Sequence, residues 1–207
     1  MLRKHAYLFG IGFLVLLAAC SKNTSVDGNS NPAPLVGNYQ FLYITTAINV
    51  TESGNVAGVP VQAVITSGYK TQQNTGTVVF AADSVTGKGI GYSYDTTATI
   101  VETVSGTAPV TTVQRFSGTV PATSSTSKYQ VIGTDSVYFP GGVLGTGSIS
   151  TGSQVAIAPP TGGHYAFKGD TLTIVTKINQ TYPDNINGIS TMATALVNAT
   201  IFLLKQK

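Results

Sequence analysis

Few side chains of this sequence could serve as a catalytic base near neutral pH or as a thiol nucleophile. Histidine occurs twice, as His5 and His164, and Cys20 is the one cysteine of the chain. A Ser-His-Asp triad places its serine in a tight turn such as Gly-x-Ser-x-Gly, a motif that the sequence does not contain. His164 follows two glycines and is interpreted as an ordinary polar residue at a strand end. We therefore predict that the protein is not an enzyme.

The sequence also lacks motifs for binding a metal ion or a phosphate group. One histidine near the folded region does not make a zinc site, and the carboxylates are too widely spaced for a calcium loop. The glycine-rich strings Gly87–Gly91 and Gly141–Gly147 lack the Walker pattern and precede no predicted helix, so we expect turns or bulges there. The sequence thus predicts no bound metal and no cofactor.

Cys20 stands at the end of a segment with the features of a secretory signal. Arg3 and Lys4 precede the apolar run Leu8–Leu16, and Leu17-Ala18-Ala19-Cys20 fits the lipobox of bacterial lipoproteins. The apolar run is too short to cross a hydrocarbon core of roughly 30 Å as a helix. We predict that residues 1–19 are a signal peptide and that Cys20 carries the lipid, including palmitate-type acyl chains. The alternative is ordinary cleavage near Ala19 with a free thiol.

Residues 20–34 form the predicted tether between the lipid and a folded domain spanning 35–207. They are small and polar and show no periodicity, as in a flexible linker. In Gram-negative lipoproteins an aspartate after the lipidated cysteine favours the inner membrane, and this chain has Ser21, so we expect the outer membrane. Asp27 stands alone, without the acidic cluster of surface-exposed lipoproteins of the Bacteroidetes. The expected location is the periplasmic face, with surface exposure as the alternative.

The charge balance argues against a polyanionic partner. Charged residues make up only 9% of the chain, and the net charge of +3 includes Arg3 and Lys4 of the predicted signal. The remaining basic residues are scattered, so no nucleic-acid footprint is present. Threonine, serine, glycine and valine replace the missing charges, a composition that favours strands and turns.

Residue types typical of β-strands occur along almost the whole predicted domain. No segment has apolar residues at the spacing of an amphipathic helix. Val78, Phe80 and Ala82 share one face of a strand, as do Ile90, Tyr92 and Tyr94, which indicates one buried face per strand. Asp83–Gly87 and Ser105–Gly106 are predicted hairpin turns. The predicted strands are Gly37–Val50, Val59–Thr66, Gly76–Ala82, Gly89–Asp95, Thr97–Val104, Val110–Gly118, Lys128–Ile132, Ser136–Phe139, His164–Phe167, Thr171–Ile178 and Thr191–Lys205.

Short turns between consecutive strands favour an all-β fold built as an antiparallel meander. Closing the meander into an up-and-down β-barrel would hide the sheet edges, and a two-sheet β-sandwich is the alternative. Glu102 interrupts an apolar face between Ile100 and Val104. We expect a bulge to turn it outward; otherwise its buried carboxylate would need a partner such as Arg115.

The opening of the first strand, Leu35-Val-Gly-Asn-Tyr39, resembles the Gly-x-Trp start of lipocalin-like domains, with Tyr39 in place of tryptophan. Lys88–Asp95, Tyr165–Thr173 and Ala199–Lys205 are similar to segments of lipocalin-like lipoproteins of the Bacteroidetes. The resemblance implies barrel closure through Gly37, Tyr39 and Lys205, with Lys205 stacked on the Tyr39 ring. It also implies a monomeric domain that binds a small apolar or amphipathic ligand, or that acts as an envelope interaction module.

The sandwich alternative resembles a second family, the fimbrillin-like pilus and adhesin subunits of the same bacteria. Such a subunit would assemble by strand exchange through the apolar segment Thr191–Lys205. Its usual arginine or lysine protease site after the tether is not evident between Ser21 and Leu35.

A tripeptide of aspartate, Ser or Thr, and a small or aliphatic residue occurs four times. It resembles the acceptor for O-glycosylation in extracytoplasmic proteins of the Bacteroidetes. Each copy is also a turn-to-strand signal in which the aspartate caps the turn. The candidate acceptors are Ser84, Thr96, Ser136 and Thr171.

Overall fold

Strands occupy nearly all of the chain that the structure, a computed structural model, describes, namely residues 35–141, 160–186 and 189–207. Alternation of apolar and polar side chains accounts for most of them, as the sequence predicts. The strands are β1 Gly37–Val56, β2 Val59–Lys70, β3 Gln72–Phe80, β4 Ser84–Val104, β5 Val110–Lys128, β6 Gln130–Ile132, β7 Ser136–Phe139, β8 Thr161–Lys168, β9 Thr171–Ile186 and β10 Ile189–Lys205.

All the strands join one antiparallel sheet, which confirms the predicted all-β antiparallel class. Strands β2 and β3 share their neighbours, because both pair with β1 on one side and with β4 on the other. Thr71 connects them, and it is 2% exposed. Its backbone N–H donates to Ile44 O at 2.9 Å, and its Oγ1 accepts from Ile44 N at 2.9 Å. These bonds hold β1 beside the break between β2 and β3.

The remaining ladders continue the sheet in both directions. Strand β4 pairs with β5, and β6, which directly follows β5, pairs with β7. Strand β7 pairs with β8, β8 with β9 and β9 with β10. The first and last strands also pair, from Tyr39↔Lys205 to Gly54↔Thr191.

Two apolar clusters lie on the face that we call the inner face. The larger one contains bulky side chains, including Tyr39, Phe80 and Phe139. The smaller one contains Val50, Ile65, Ala98, Ile100, Ala193 and Ala195. The first cluster therefore supplies more of the hydrophobic stabilisation, since the free energy gained scales with apolar area removed from water.

Several local predictions need correction. The two predicted strands within Ser84–Val104 are one strand, and the hairpin turn predicted at Asp83–Gly87 lies instead between the end of β3 at Phe80 and the start of β4 at Ser84. The register of β4 shifts on both sides of Ile90, which confirms a bulge in the Gly87–Gly91 string. The ladder then runs unbroken from Tyr92 to Glu102, so the bulge expected to turn Glu102 outward is not present.

Gly76 provides a test of this bulged region. Its φ is +102°, and a Cβ added there would lie 2.5 Å from Gly89 O and 2.7 Å from Lys88 O. Gly76→Ala is therefore expected to cost about 2–4 kcal/mol of unfolding free energy, since backbone strain and a backbone clash add together. Urea unfolding measures this cost.

Gly58→Ala is the matched control, because Gly58 also has a positive φ, +84°, but would place its Cβ in open space. Strain alone should cost that variant about 1 kcal/mol. Equal losses in the two variants would show that the close approach of Gly76 to β4 is absent.

Candidate functional site

The two ends of the sheet, which we call proximal and distal, carry different side chains. At the proximal end, Tyr39 lies opposite Lys205, and Gln206 N donates to Asn38 O at 2.8 Å. The distal end lies where β1, β4 and β9 end and where β2, β5 and β10 begin. Strand β1 has 20 residues, so the ends are separated by roughly 60 Å of strand at about 3.3 Å per residue.

The predicted closure residues Gly37, Tyr39 and Lys205 meet at the proximal end. A Cβ on Gly37 would lie 3.5 Å from Lys205 Cε and 3.6 Å from Tyr39 Cε2. The Tyr39 hydroxyl donates to Leu35 O at 2.9 Å, and its ring meets the Phe80 ring edge-on at 5.7 Å. Burial, followed by the nearby Tyr129, raises the pKa of Tyr39 to about 12.

Buried side chains fill the space on the inner face of the sheet next to the proximal end. Ten of them are less than 2% exposed, and Tyr92 and Tyr69 continue the packing towards the distal half. Burial raises the pKa of Tyr92 to about 12, with smaller contributions from Tyr69 and Tyr94. The ten are Tyr39, Phe80, Phe139, Leu35, Leu172, Ile174, Leu203, Val78, Val85 and Val137.

Polar side chains replace apolar ones on the distal part of the inner face. Antiparallel pairing aligns Glu102, Ala63, Glu52, Ala193 and Tyr182 in one row across five strands. Directly paired residues point to the same face, so these side chains are neighbours.

The next row, at the end of the sheet, contains Val104, Val61, Gly54, Thr191 and Asp184. We call Glu52, Glu102, Tyr182, Asp184 and Thr191 together the distal acidic face. It combines three carboxylates with two hydroxyls, on a background of small and apolar residues.

The environment of the distal acidic face perturbs its ionisable groups. Partial burial, and then the charge of Asp184, raise the pKa of Glu52. Burial, Asp184 and Glu52 together raise the pKa of Tyr182 to about 12. A depression of about 720 Å³ opens at this end; among the described residues its lining includes Gly54, Val61 and Thr191 but no acidic side chain.

Four exposed valines flank two turns at the same end of the sheet. Val56 and Val59 flank the β1–β2 turn and are 40% and 41% exposed, and Val104 and Val110 flank the β4–β5 turn at 40% and 59%. The two turns are adjacent, because Ser105 N donates to Pro60 O at 3.0 Å. We call these four valines the distal rim. Exposed apolar residues that form a contiguous patch often mark an interaction surface, whereas single ones are normal.

His164 lies close to a serine and an aspartate, but not in a catalytic arrangement. Its Nδ1 is 3.1 Å from Ser136 Oγ and 3.9 Å from Asp135 Oδ2. In a triad the serine and the carboxylate bond to different ring nitrogens, whereas here both face the same one. The His164 and Asp135 side chains are also 76% and 68% exposed. These contacts offer no basis for nucleophilic catalysis.

The candidate acceptor residues occupy two kinds of position. Ser84, Ser136 and Thr171 begin strands β4, β7 and β9, as a turn-to-strand signal implies. Thr96 lies inside β4, where its Oγ1 donates to Gly68 O at 2.8 Å, so the turn interpretation of Asp95-Thr96 is wrong.

The ion pairs and the possible metal ligands do not form a binding centre among the described residues. Arg115 bonds Asp95 through two nitrogens and is not the partner of Glu102. Within residues 35–141, 160–186 and 189–207, no three His, Cys, Asp or Glu side chains lie close enough to hold a metal ion. No helix of the described chain is long and apolar enough to cross a membrane.

Comparison with known proteins identifies no relative. No protein-family model, curated protein or solved structure matches the chain.

The structure brings together only some of the residues that the sequence predicts for the site. Cys20, the predicted signal peptide, the predicted tether and most of the Gly141–Gly147 string lie outside the described residues. Gly37, Tyr39 and Lys205 are brought together, but the Tyr39 ring packs on Phe80. A close ammonium–ring contact occurs elsewhere, with Lys70 Nζ 3.8 Å from the centre of the Tyr43 ring. The distal acidic face was missed, although the position of Glu102 on an apolar face was a signal for it.

Proposed function

We propose that the chain is a lipid-anchored outer-membrane lipoprotein whose non-catalytic, lipocalin-like β-barrel acts as an envelope interaction module. In this proposal Cys20 carries the lipid, the tether joins the barrel at its proximal end, and the distal rim meets the partner. The observation that carries the proposal is the contrast between a filled proximal interior and an exposed apolar rim at the opposite end.

The order of the ladders supports a closed eight-stranded barrel. If β2–β3 and β5–β6 each count as one strand, every strand pairs with the next along the chain, and β10 pairs with β1. Up-and-down barrels have this order. Strand β10 is paired along both edges, which argues against the fimbrillin-like alternative, because strand exchange needs a donor strand free to leave its own sheet.

The filled interior favours an interaction module over a ligand carrier. Eight-stranded barrels hold a small ligand when their interior leaves room, and others fill the interior with side chains. Ten nearly inaccessible side chains occupy the proximal interior of this sheet. The distal rim lies at the end away from the tether, where an anchored protein is accessible to partners.

Photo-crosslinking in intact cells tests the proposal. A photoreactive phenylalanine at Val59, on the distal rim, is expected to give a discrete crosslinked adduct. The matched control position is Phe167, which has similar exposure, 38% against 41%, but lies near the proximal end. Adducts from Phe167 and none from Val59 would contradict the proposal. Stoichiometric retention of hexadecanoate, detected by native mass spectrometry, would favour the carrier.

A further inference from the structure

A groove crosses strands β6, β7, β8 and β9 on the outer face of the sheet, the face opposite the inner face. Its residues on β7, Ser136 and Tyr138, alternate with the buried Val137 and Phe139. The groove has a volume of about 340 Å³, at the small end of the range for ligand clefts. We call it the outer groove, and its lining includes Tyr138, Gly162, Gly163, His164, Val175 and Lys177.

Gly162 leaves an empty position in this groove, although the fold does not require a glycine there. A Cβ added to Gly162 would have no atom within 4 Å, and its φ is outside the left-handed range. Gly58 also has open space, but its φ of +84° favours glycine, and the Cβ of an altered Gly163 would lie 2.7 Å from Val175 O. Glycine weakens a strand, and within strands it often marks a place where a ligand approaches the backbone. The empty position at Gly162 therefore indicates space for a bound molecule.

The side chains on the two sides of Gly162 are an aromatic ring and an ammonium group. Tyr138 is directly opposite Gly162 on β7. Lys177 follows Thr176, the partner of Gly163, so it lies beside Gly162 on β9. Because neighbouring strands are about 4.8 Å apart, the backbones at Tyr138 and Lys177 are separated by about 10 Å. A planar ring stacked on the tyrosine, at a centroid distance of about 4.5–7 Å, would lie above Gly162.

The Lys177 ammonium group has no acidic side chain beside it in the sheet. Lys177 is opposite Asn198 on β10, and the residues two positions away on the same face of β9 are Val175 and Asn179. Neither ion pair of the described residues involves Lys177. Lys177 is therefore able to pair with an anionic group of a ligand.

The chemistry of the outer groove selects an aromatic carboxylate. Tyr138 offers a ring face, Val175 offers aliphatic contacts, and Lys177 offers a charged donor. A saccharide would need several hydrogen-bonding side chains, whereas most of the described lining is apolar or glycine. Asp135, 3.9 Å from His164 Nδ1, makes the other end of the groove less suitable for a negative charge.

We propose that the outer groove binds an aromatic carboxylate, with its ring stacked on Tyr138 above the backbone of Gly162 and its carboxylate paired with Lys177. Such a ligand binds outside the sheet, so it needs no space in the filled interior. The proposal goes beyond the interaction role above, since it stands whether or not the distal rim binds a protein and whether or not Cys20 is lipidated.

The test compares 2-naphthoate, which is anionic at pH 7, with 2-naphthamide, a neutral molecule of nearly the same shape. The full-length protein is studied in nanodiscs of zwitterionic lipid, with empty nanodiscs subtracted, and binding is measured by ligand-observed NMR titration. We expect naphthoate to bind more tightly by about threefold or more, the scale of an exposed ion pair. Equal affinity for the two compounds, or no binding of naphthoate, would overturn the proposal.

Gly162→Val tests the position of the ring. The valine side chain would occupy the empty position and should weaken naphthoate binding about tenfold or more, because it clashes with a ring stacked on Tyr138. Ala166→Val is the matched control, since it adds bulk to the same face of β8 outside the lining of the groove. Its affinity should equal that of the wild type. Unchanged affinity in Gly162→Val would overturn the proposal.

Lys177→Gln tests the position of the carboxylate. It should weaken naphthoate binding about threefold and leave naphthamide binding unchanged, because only the charged ligand uses the ammonium group. Lys168→Gln removes an exposed lysine of β8 that does not line the groove, and it should bind naphthoate like the wild type. Equal effects of the two lysine variants would contradict the assignment of Lys177.

A melting measurement without ligand separates binding from folding. Valine favours strands more than glycine does, and its Cβ has open space at position 162, so Gly162→Val should melt at or above the temperature of the wild type. If Gly162→Val melts clearly below the wild type, the fold itself requires this glycine, and that result overturns the inference of a space kept for a ligand.

Discussion

Phe80→Ala is expected to reduce the unfolding free energy by about 3–5 kcal/mol, the range for truncating a fully buried phenylalanine. Phe80 is 1% exposed and meets the rings of Tyr39 and Tyr129 edge-on, with centroids 5.7 Å and 5.2 Å apart. Truncation would remove both aromatic contacts and leave a cavity between β1, β3 and the segment that joins β5 to β6. The surrounding strands are held by their ladders, so they can collapse into it only partly.

Urea unfolding monitored by circular dichroism measures this loss. Phe202→Ala is the matched control, because Phe202 is half-buried on the other face and stacks on Tyr43 at 4.4 Å. Its truncation should cost about 1–1.5 kcal/mol, mostly from the lost ring contact. Similar losses in the two variants would mean that Phe80 is not at the centre of a filled interior.

Most of the strands could be predicted, because their apolar residues alternate. Val78 and Phe80 share a buried face, as do Leu172 and Ile174. The second half of β5 was missed, since residues 119–127 are rich in serine and threonine and have no apolar alternation. Pairing with β4 keeps this segment extended, and such tertiary pairing is not visible in local sequence.

The candidate site was less predictable than the strands. Glu52 and Thr191 are far apart in sequence, and only the β1–β10 register brings them together. A shift of one residue in the pairing of β1 with β10 would move either side chain to the opposite face of the sheet. The hydrophobic pattern of the sequence does not fix this register, so it cannot locate the site. The position of Glu102 indicated a polar residue on an otherwise apolar face. The residues that lie beside it on the neighbouring strands could not be predicted from the sequence.

Cys20→Ala is expected to abolish lipid attachment. The Leu17-Ala18-Ala19-Cys20 motif predicts that the thiol receives the diacylglycerol before cleavage, and alanine has no sulfur to accept it. Each buried CH₂ contributes about 0.8 kcal/mol to membrane binding, and stable anchoring needs at least two chains. Loss of the thiol should therefore release the protein from lipid-dependent anchoring.

Ser21→Ala is the matched control, since it changes the adjacent residue and keeps the thiol. It should be lipidated like the wild type, because the motif that directs modification ends at Cys20. Comparing the two variants separates the chemistry of the thiol from a general disturbance of the cleavage region.

Metabolic labelling with an alkyne analogue of palmitate tests the lipid anchor, on which the proposed orientation of the barrel depends. After coupling to a fluorophore, the wild type and Ser21→Ala should give a labelled band at the size of the cleaved protein, and Cys20→Ala should give none. Undiminished labelling of Cys20→Ala would contradict the account.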